Sequence, residues 1–508
     1  MLELILQMTP DYLVRHAPPL LVMTPLLIAG VMTFIPSGRL AWLTTIIAAL
    51  GAFACAIILL AEVSLNGVVS YHMGGWAPPM GIEFRIDPLN VLFLLIVTGT
   101  AFLAAIFSWT SVVGEVRPEK RALFYVAFMV CFAGLSGVVI TGDAFNLFVF
   151  LEISSISTYV LVALGGRQDR RAFPAAFNYL IMGTIGATFF VIGVGFLYAA
   201  TGTLNMVDIS ERLAALGPNK TVYAGFAFIV VGLGVKAAMW PLHQWLPNAY
   251  TYAPSFVTMF LSATATKAAI YAIIRFVFTV FSVDFSFSVM QFTPIFASLA
   301  IIAMLTCSIQ ATFQSDIRRM LAYSSVAQVG YMMLGIAIGT SAGLSAGLFH
   351  LTNHAIIKGA LFMAVAGVFI VYKVSDIKDF TGLGRAAPIT MTAFAIAGLS
   401  LIGMPLTAGF QSKWALLQAL IASGWAIGVV ALILSSLLAV IYIGRVLQAV
   451  FVHLPEEPFA VRKEAPLLLL IPLWTLILLN FWIGISADTI LGLINNASAF
   501  VFAIGGAG

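Results

Sequence analysis

Apolar residues run along this chain in long unbroken stretches, with polar positions gathered between them. Charge is absent over 172–207, 237–266, 285–315, 320–357 and 414–444. Each run exceeds the ~20 residues that a helix needs to cross the hydrocarbon of a bilayer. Hydropathy predicts fourteen spans, near 18–35, 41–64, 88–109, 121–141, 143–164, 172–199, 222–240, 255–279, 290–310, 321–339, 344–371, 387–407, 425–450 and 466–487. A short helix is expected near 409–421, and the apolar piece 489–505 reads as an interfacial helix or a fifteenth span. Because the apolar runs are continuous rather than alternating, a transmembrane β-barrel is excluded. The fold class is all-α and polytopic.

Two spans carry prolines that break them. The seventh reads Lys236-Ala237-Ala238-Met239-Trp240-Pro241-Leu242-His243-Gln244-Trp245-Leu246-Pro247, and the twelfth Gly403-Met404-Pro405-Leu406-Thr407-Ala408-Gly409-Phe410-Gln411-Ser412-Lys413. Proline removes a backbone donor and clashes with the preceding turn. Each break sits beside a lysine, and the breaks lie five spans apart. An odd offset reverses the topology of a second copy, so spans 4–8 and 9–13 are expected to be two inverted five-helix repeats around a mid-membrane ion path. The domains expected are 1–110 for helices 1–3, 111–280 and 281–455 for the repeats, and 456–508 for the C-terminal helices.

Composition agrees with the pattern. The 508 residues are 61% hydrophobic and 9% charged, where a soluble domain is about a quarter charged. The net charge of +4 says little, but its distribution sets the topology. With both termini outside, inward loops hold fourteen basic residues, from Arg39 to Lys463, and outward segments only Arg15, Arg85, Arg212 and Lys220, as the positive-inside rule asks. The expected location is the cell (inner) membrane, with both termini on the outer side. Met1–Gln7 has no basic n-region, so the first run reads as a retained helix rather than a cleaved signal.

Charges inside the apolar runs are few and costly. Glu152 lies in Phe148-Val149-Phe150-Leu151-Glu152-Ile153-Ser154, and Lys236, Lys267, Lys358 and Lys413 have settings as apolar. Each costs about 2.5–3.5 kcal/mol at the centre of a membrane helix, or about 12–17 kcal/mol if the five are simply added. Such residues persist where they pair, meet water or carry an ion. Glu152 reads as a proton-binding group, against a structural carboxylate held by Ser154 and Ser155, and is expected to approach Lys236 within salt-bridge or one-water distance. Desolvation and a nearby cation act oppositely on a carboxyl group, so a site balanced between them responds when a neighbouring charge moves. Lys236 and Lys267 read as proton carriers rather than snorkelling side chains, Lys267 being about thirteen residues into its span. Arg275, near the outer end of that span, reads as snorkelling to the interface.

His350, His354 and Lys358 are spaced i, i+4, i+8 and share one helix stripe, which suits a proton relay. Core polar packing and a metal or haem site are the alternatives, but no Glu or Cys accompanies the two histidines and the other four His lie near span ends or in loops. Cys55, Cys131 and Cys307 are lone thiols in apolar runs, so disulfides and iron–sulfur clusters are not expected. No GxxxxGK[ST] occurs, and Gly193-Val194-Gly195 lies inside a membrane run, which excludes a P-loop and a Rossmann site. No cofactor is expected. The energy source is then an ion gradient or a partner subunit.

Taken in order, these residues resemble the antiporter-like proton-translocating subunits shared by respiratory complex I and the Mrp-type multi-subunit Na+/H+ antiporters. The likeness covers about residues 85–450. Val235-Lys236-Ala237-Ala238-Met239-Trp240-Pro241-Leu242-His243-Gln244-Trp245-Leu246-Pro247-Asn248-Ala249-Tyr250, then Ala253-Pro254-Ser255 and Lys267, is similar to the family's "K…PLHxWLPDAH…AP…K" signature. Asn248 and Tyr250 depart from it. Arg318-Arg319-Met320-Leu321-Ala322-Tyr323-Ser324-Ser325 and the residues to Gly330 resemble its "(K/R)RxLAYSSxxxxG" stretch. The resemblance implies fourteen helices in two inverted repeats, with roles for Glu152, Lys236, Lys267, the stripe of span 11 and Lys413. Tyr71–Ile82 looks like the "GGWxxPxGI" segment of the D subunit of the Mrp type. The M and N subunits of complex I are the alternative.

The expected function is therefore proton translocation, as a subunit of a multi-subunit Na+/H+ antiporter, along a Glu/Lys/His axis. The alternative is a proton-pumping subunit of a redox-driven complex, in either case without a redox site of its own. Expected partners are other subunits, H+ and Na+ as transported ions, and the lipid bilayer; no nucleic acid is expected. A row of lysines repels Na+, so this chain is expected to carry the proton branch.

Overall fold

The computed structural model describes residues 2–454 and 462–506. In chain order the first elements are α1 (Leu2–Met8), α2 (Asp11–Met32), α3 (Gly38–Asn66), the hairpin strands β1 (Val69–His72) and β2 (Glu83–Ile86), and α4 (Pro88–Glu115). Then come α5 (Arg121–Ile140), α6 (Ala144–Ala163), α7 (Ala172–Thr201), α8 (Met206–Leu216), α9 (Lys220–Lys236), α10 (Trp245–Tyr252) and α11 (Ser255–Ile274). They are followed by α12 (Phe292–Thr312), α13 (Ile317–Ala337), α14 (Ser341–Tyr372), α15 (Leu383–Ala386), α16 (Pro388–Ile402), α17 (Ala408–Ala422), α18 (Ala426–Leu447), α19 (Leu467–Ile485) and α20 (Asp488–Ile504).

Among the described residues, twelve helices are long and apolar enough to cross a bilayer. The seventh and twelfth expected spans fall short because each is two pieces, α9 with α10 and α16 with α17, joined where the prolines stand. From α5 to α11, three continuous helices are followed by a broken one and another continuous one; α12 to α18 repeats that order. The domain boundary expected at 455/456 lies outside the described residues.

Polar punctuation sets the helix starts. Asp87 accepts from the Leu89 and Asn90 amides to open α4, and Asp143, Asn219 and Asp316 open α6, α9 and α13 in the same way. Such caps satisfy amides that a helix start leaves without partners. Several short elements were not expected, α1 and α15 among them; two others lie between spans. β1 pairs antiparallel with β2 between α3 and α4, and α8 is a short helix between α7 and α9. Both are too short and too polar to register as spans.

Burial sorts the helices into a centre and a rim. The apolar windows of Ser255–Val280 and Ile317–Ala337 are 94% buried, against 33% for Asp11–Met32 and 39% for Phe292–Thr312. Thus α11, α13 and α14 form the core, with α14 packed on α11, α13, α16, α17 and α19. These central helices carry Lys267, Gln328, Tyr331, His350, His354 and Lys358. The apolar piece 489–505 is α20, seventeen residues packed on α14 and α4.

Candidate functional site

The site begins where α9 stops. Lys236 is the last residue of α9, and the chain turns away at Ala237 and Ala238. The indole Nε1 of Trp245, from the start of α10, donates to the freed carbonyl of Val235 at 3.0 Å. Lys236 is buried and extends to α6, where its Nζ lies 3.1 Å from Glu152 Oε1 and donates to Ser155 Oγ at 2.7 Å. The Ser155 hydroxyl in turn donates to the Leu151 carbonyl at 2.6 Å. Ser154 also bonds that carbonyl, so neither serine holds the carboxylate as the structural alternative required. The side chain of Glu152 remains 22% exposed, which leaves one member of the pair at the rim of the chain.

The central helices hold the next groups in apolar surroundings with uncharged acceptors. Lys267 is fully buried in α11 and donates to the Ser262 carbonyl. Lys358 is fully buried in α14 and donates to the Leu321 carbonyl at 2.8 Å and to Ser324 Oγ. His350, two turns earlier, bonds Gln328 Oε1 at 2.8 Å and Ser412 Oγ at 3.1 Å. Both its nitrogens are thereby committed to the protein. His354, between His350 and Lys358 on the stripe, is buried, and neither ring nitrogen has a partner among the described residues.

The second break supplies the last cation. α16 ends at Gly403, whose φ of 101° suits glycine. Lys413 returns from α17 to the freed carbonyls of Leu401 and Ile402, both at 2.9 Å, and to Ser436 Oγ at 3.1 Å. A helix C-terminus leaves carbonyls without intrahelical partners and carries partial negative charge, so the break is itself the acceptor for this ammonium. The loop is pinned from α19 by Asn480, whose Oδ1 accepts from Ser400 Oγ at 3.0 Å and from the Ala408 amide at 2.9 Å.

All six predicted cationic and histidine positions are buried, and none faces outward. The structure joins Glu152 to Lys236, and links His350 to Lys413 through Tyr331. The Tyr331 ring stacks on His350 with centroids 5.2 Å apart and lies 5.0 Å beneath Lys413 Nζ. Its hydroxyl meets Ser436 Oγ at 3.2 Å. No direct bond joins Lys236 to Lys267, or Lys267 to the α14 stripe, among the described residues.

Sequence reasoning missed Tyr331, Gln328, Ser412 and Ser436. A neutral polar residue in a charge-free run was the signal, but serines and tyrosines are frequent there and most bond their own backbone. Two buried acids near span ends were missed as well. Glu115 accepts from Ser111 Oγ at 2.6 Å and from the Ser255 amide at 2.9 Å, capping α11 from α4. Asp87 corrects the reading of Arg275. That guanidinium does not snorkel. It is buried and pairs with Asp87, Nη1 to Oδ2 at 2.8 Å and Nη2 to Oδ1 at 3.0 Å. A carboxylate 188 residues away made burial tolerable.

Long apolar helices, two of them broken beside buried lysines, define a polytopic membrane protein with a line of titratable groups through its centre. The chain belongs to the NADH:quinone oxidoreductase/Mrp antiporter transmembrane family, whose model matches residues 141–439. It is similar to the N subunit of NADH-quinone oxidoreductase from Desulforudis audaxviator, 40% identical over 454 residues and 89% of each chain. It is also similar to the D subunit of the Na(+)/H(+) antiporter from Alkalihalophilus pseudofirmus, 29% identical over 449 residues, 87% of this chain and 88% of the relative. Among solved structures, a chain of the membrane-bound sulfane sulfur reductase, an archaeal respiratory membrane complex, superposes with a TM-score of 0.87 at 30% identity, covering 96% of this chain and 99% of that one. A chain of the Mrp complex from Dietzia sp. DQ12-45-1b matches with the same TM-score of 0.87 at 26% identity, covering 96% and 98%. The chain is thus an antiporter-like membrane subunit of the Mrp and complex I type, one member of a multi-subunit membrane complex. Relatives named for the antiporter and for the quinone-linked enzyme stand side by side.

Proposed function

We propose that this chain translocates protons along the line Glu152, Lys236, Lys267, His354, Lys358, His350 and Lys413, within a multi-subunit cation/proton antiporter. The observation that carries the reading is Lys236. It is a buried ammonium at a helix break, bound at once to a partly exposed carboxylate and to a hydroxyl. A carboxylate that can leave or lose its charge changes the proton affinity of its partner, and like charges further along the line repel one another. Protons then advance stepwise without a large motion of the fold.

One end of the axis is assigned to the water-facing side of Glu152, and the other to the break at Lys413. Sodium ion prefers hard oxygen ligands, and the axis offers one central carboxylate among several cations. We assign Na+ to a partner subunit or to an interface. The relative at 40% identity favours a second reading, in which redox chemistry elsewhere in the complex drives the same proton path. Cation-dependent proton uptake by the intact complex, with no quinone or NADH supplied, separates the two. Uptake that depends on Na+ supports the antiporter; strict dependence on an electron donor supports the second reading.

Glu152→Gln tests the axis itself. It keeps shape and removes both the proton site and the switchable charge. Proton translocation by the assembled complex is expected to disappear, with the subunit composition unchanged on native gels. Near-normal proton movement in that variant would end the proposal.

A further inference from the structure

Beyond the assigned ends of the axis, the bundle holds a cavity of about 390 Å³ at the end of α11, with both signs of charge in its wall. It is lined by Tyr271, Arg275, Asp87, Asn90 and Thr141, and it opens beside Ser210 and Glu211 of α8. Lys267, Tyr271 and Arg275 follow one another at four-residue steps, so they share one stripe of α11. Each step is about 6 Å along the helix. The stripe therefore runs from a fully buried lysine to the wall of the cavity within about two turns.

We propose that this cavity is an outer portal, through which the Lys267 site exchanges protons with water on the outer side of the membrane. The inference rests on the proton-translocating reading above, and adds to it an outlet in the first half of the chain that the axis does not require. Its key element is the hydroxyl of Tyr271. That oxygen accepts from Asn90 Nδ2 at 2.8 Å and from Arg275 Nε at 3.3 Å. With both lone pairs occupied by donors, the hydroxyl hydrogen is the part left to act, and it has no acceptor among the described residues. In the structure Lys267 Nζ is turned to the Ser262 carbonyl, toward the other end of α11. Rotation of its four-carbon arm carries the nitrogen to the Tyr271 side of the stripe.

The transfer balances simply. As the longer Arg275 Nε contact opens and frees a lone pair on Tyr271 Oη, the Lys267 ammonium gives one proton to that oxygen and the phenol gives its own to a cavity water. The lysine is left a neutral amine, the water becomes hydronium, and the proton leaves by the mouth between α8 and the end of α11. Uptake is the reverse. The Asp87–Arg275 pair sets the field at the wall. Closed, with two contacts at 2.8 and 3.0 Å, it is neutral and leaves the portal open to a cation. Loosened, it exposes a guanidinium on the same stripe as Lys267, which repels an ammonium there and a hydronium in the cavity alike.

The test places a cysteine at the mouth of the portal in the full complex. Ser210→Cys is modified with a bulky membrane-impermeant thiol reagent applied to the outer face of right-side-out vesicles. Proton flux is expected to fall at least tenfold and to recover on reduction. The same treatment of Met80→Cys, on the exposed hairpin loop, is expected to change nothing. Tyr271→Phe keeps the ring packed on Phe93 and removes only the hydroxyl, so flux is expected to fall about tenfold in a normally assembled complex. Unchanged flux in the modified Ser210→Cys protein overturns the portal. A block at Ser210→Cys with full flux in Tyr271→Phe keeps the portal and overturns the hydroxyl relay. Glu152→Gln, measured in parallel, separates the two levels. If it is dead while modified Ser210→Cys is active, the portal alone fails; if it is active, the axis reading fails on its own account.

Discussion

Three of the four intramembrane lysines on the axis are held by uncharged oxygens. Lys267, Lys358 and Lys413 donate to backbone carbonyls or serine hydroxyls, and only Lys236 meets a carboxylate. Neutral acceptors bind an ammonium without the deep trap of an ion pair, and they accept a neutral amine as well, which a carrier needs. Tyr331 adds a π face between His350 and Lys413. A desolvated cation–π contact is worth about 0.5–2 kcal/mol, a factor of about 2–30 in occupancy of the charged state. Tyr331→Leu is therefore expected to cut proton flux several-fold. Tyr331→Phe keeps the ring and loses only hydroxyl bonds of about 1 kcal/mol, and should transport nearly normally. Equal loss in both variants would deny the ring its role. The buried pair of Asp87 and Arg275 allows a second test at this scale. Asp87→Leu leaves a guanidinium buried and uncompensated, at about 3–5 kcal/mol, and should deplete the assembled complex. Adding Arg275→Leu should restore much of the assembly on native gels, because the stranded charge is gone.

At the scale of elements, the broken helices supply backbone acceptors that continuous helices lack. A continuous helix satisfies its own carbonyls, whereas α9 and α16 end inside the bundle and offer theirs to Trp245 and Lys413. The second break depends on very close approach of backbone to backbone. A Cβ on Gly409 would lie 1.8 Å from the Ser400 carbonyl oxygen, whereas one on Gly195 in α7 would meet nothing within 4 Å. Gly409→Ala must push α16 and α17 apart, carrying Lys413 from Leu401 and Ile402. We expect loss of proton flux and of thermal stability of the complex, with Gly195→Ala behaving as wild type in both assays. A fully active Gly409→Ala complex would show that the break tolerates displacement.

For the whole molecule, the rim and centre divide the labour. The outer helices present apolar faces, and the buried lysines and histidines lie in α11 and α14 and at the two breaks beside them. Orientation follows from charge. The loop around Arg117, Lys120 and Arg121 is expected inside, and the β1–β2 hairpin outside. A cysteine in place of Glu119 should react with impermeant reagent only from the inner face, and one in place of Met80 only from the outer face. The opposite pattern would invert the topology, and with it the direction assigned to the portal.

The long apolar helices, the two breaks and the charged positions were legible in the sequence, because each is a local property. Twenty apolar residues span a bilayer wherever they occur, proline interrupts a helix through its own ring, and a charge in an apolar run is conspicuous by its cost. Even the meeting of Glu152 with Lys236 followed, since a single carboxylate among buried lysines leaves few choices of partner. Partnerships among neutral or end-of-span groups did not follow. Arg275 lies buried only because α4 brings Asp87 to it, Tyr331 matters only because α14 and α17 close on its two sides, and Asn480 caps α17 from another helix. In a bilayer the lipid-facing and protein-facing sides of a helix are both apolar, so periodicity no longer tells which face is buried or against what. That information exists only once the helices are packed.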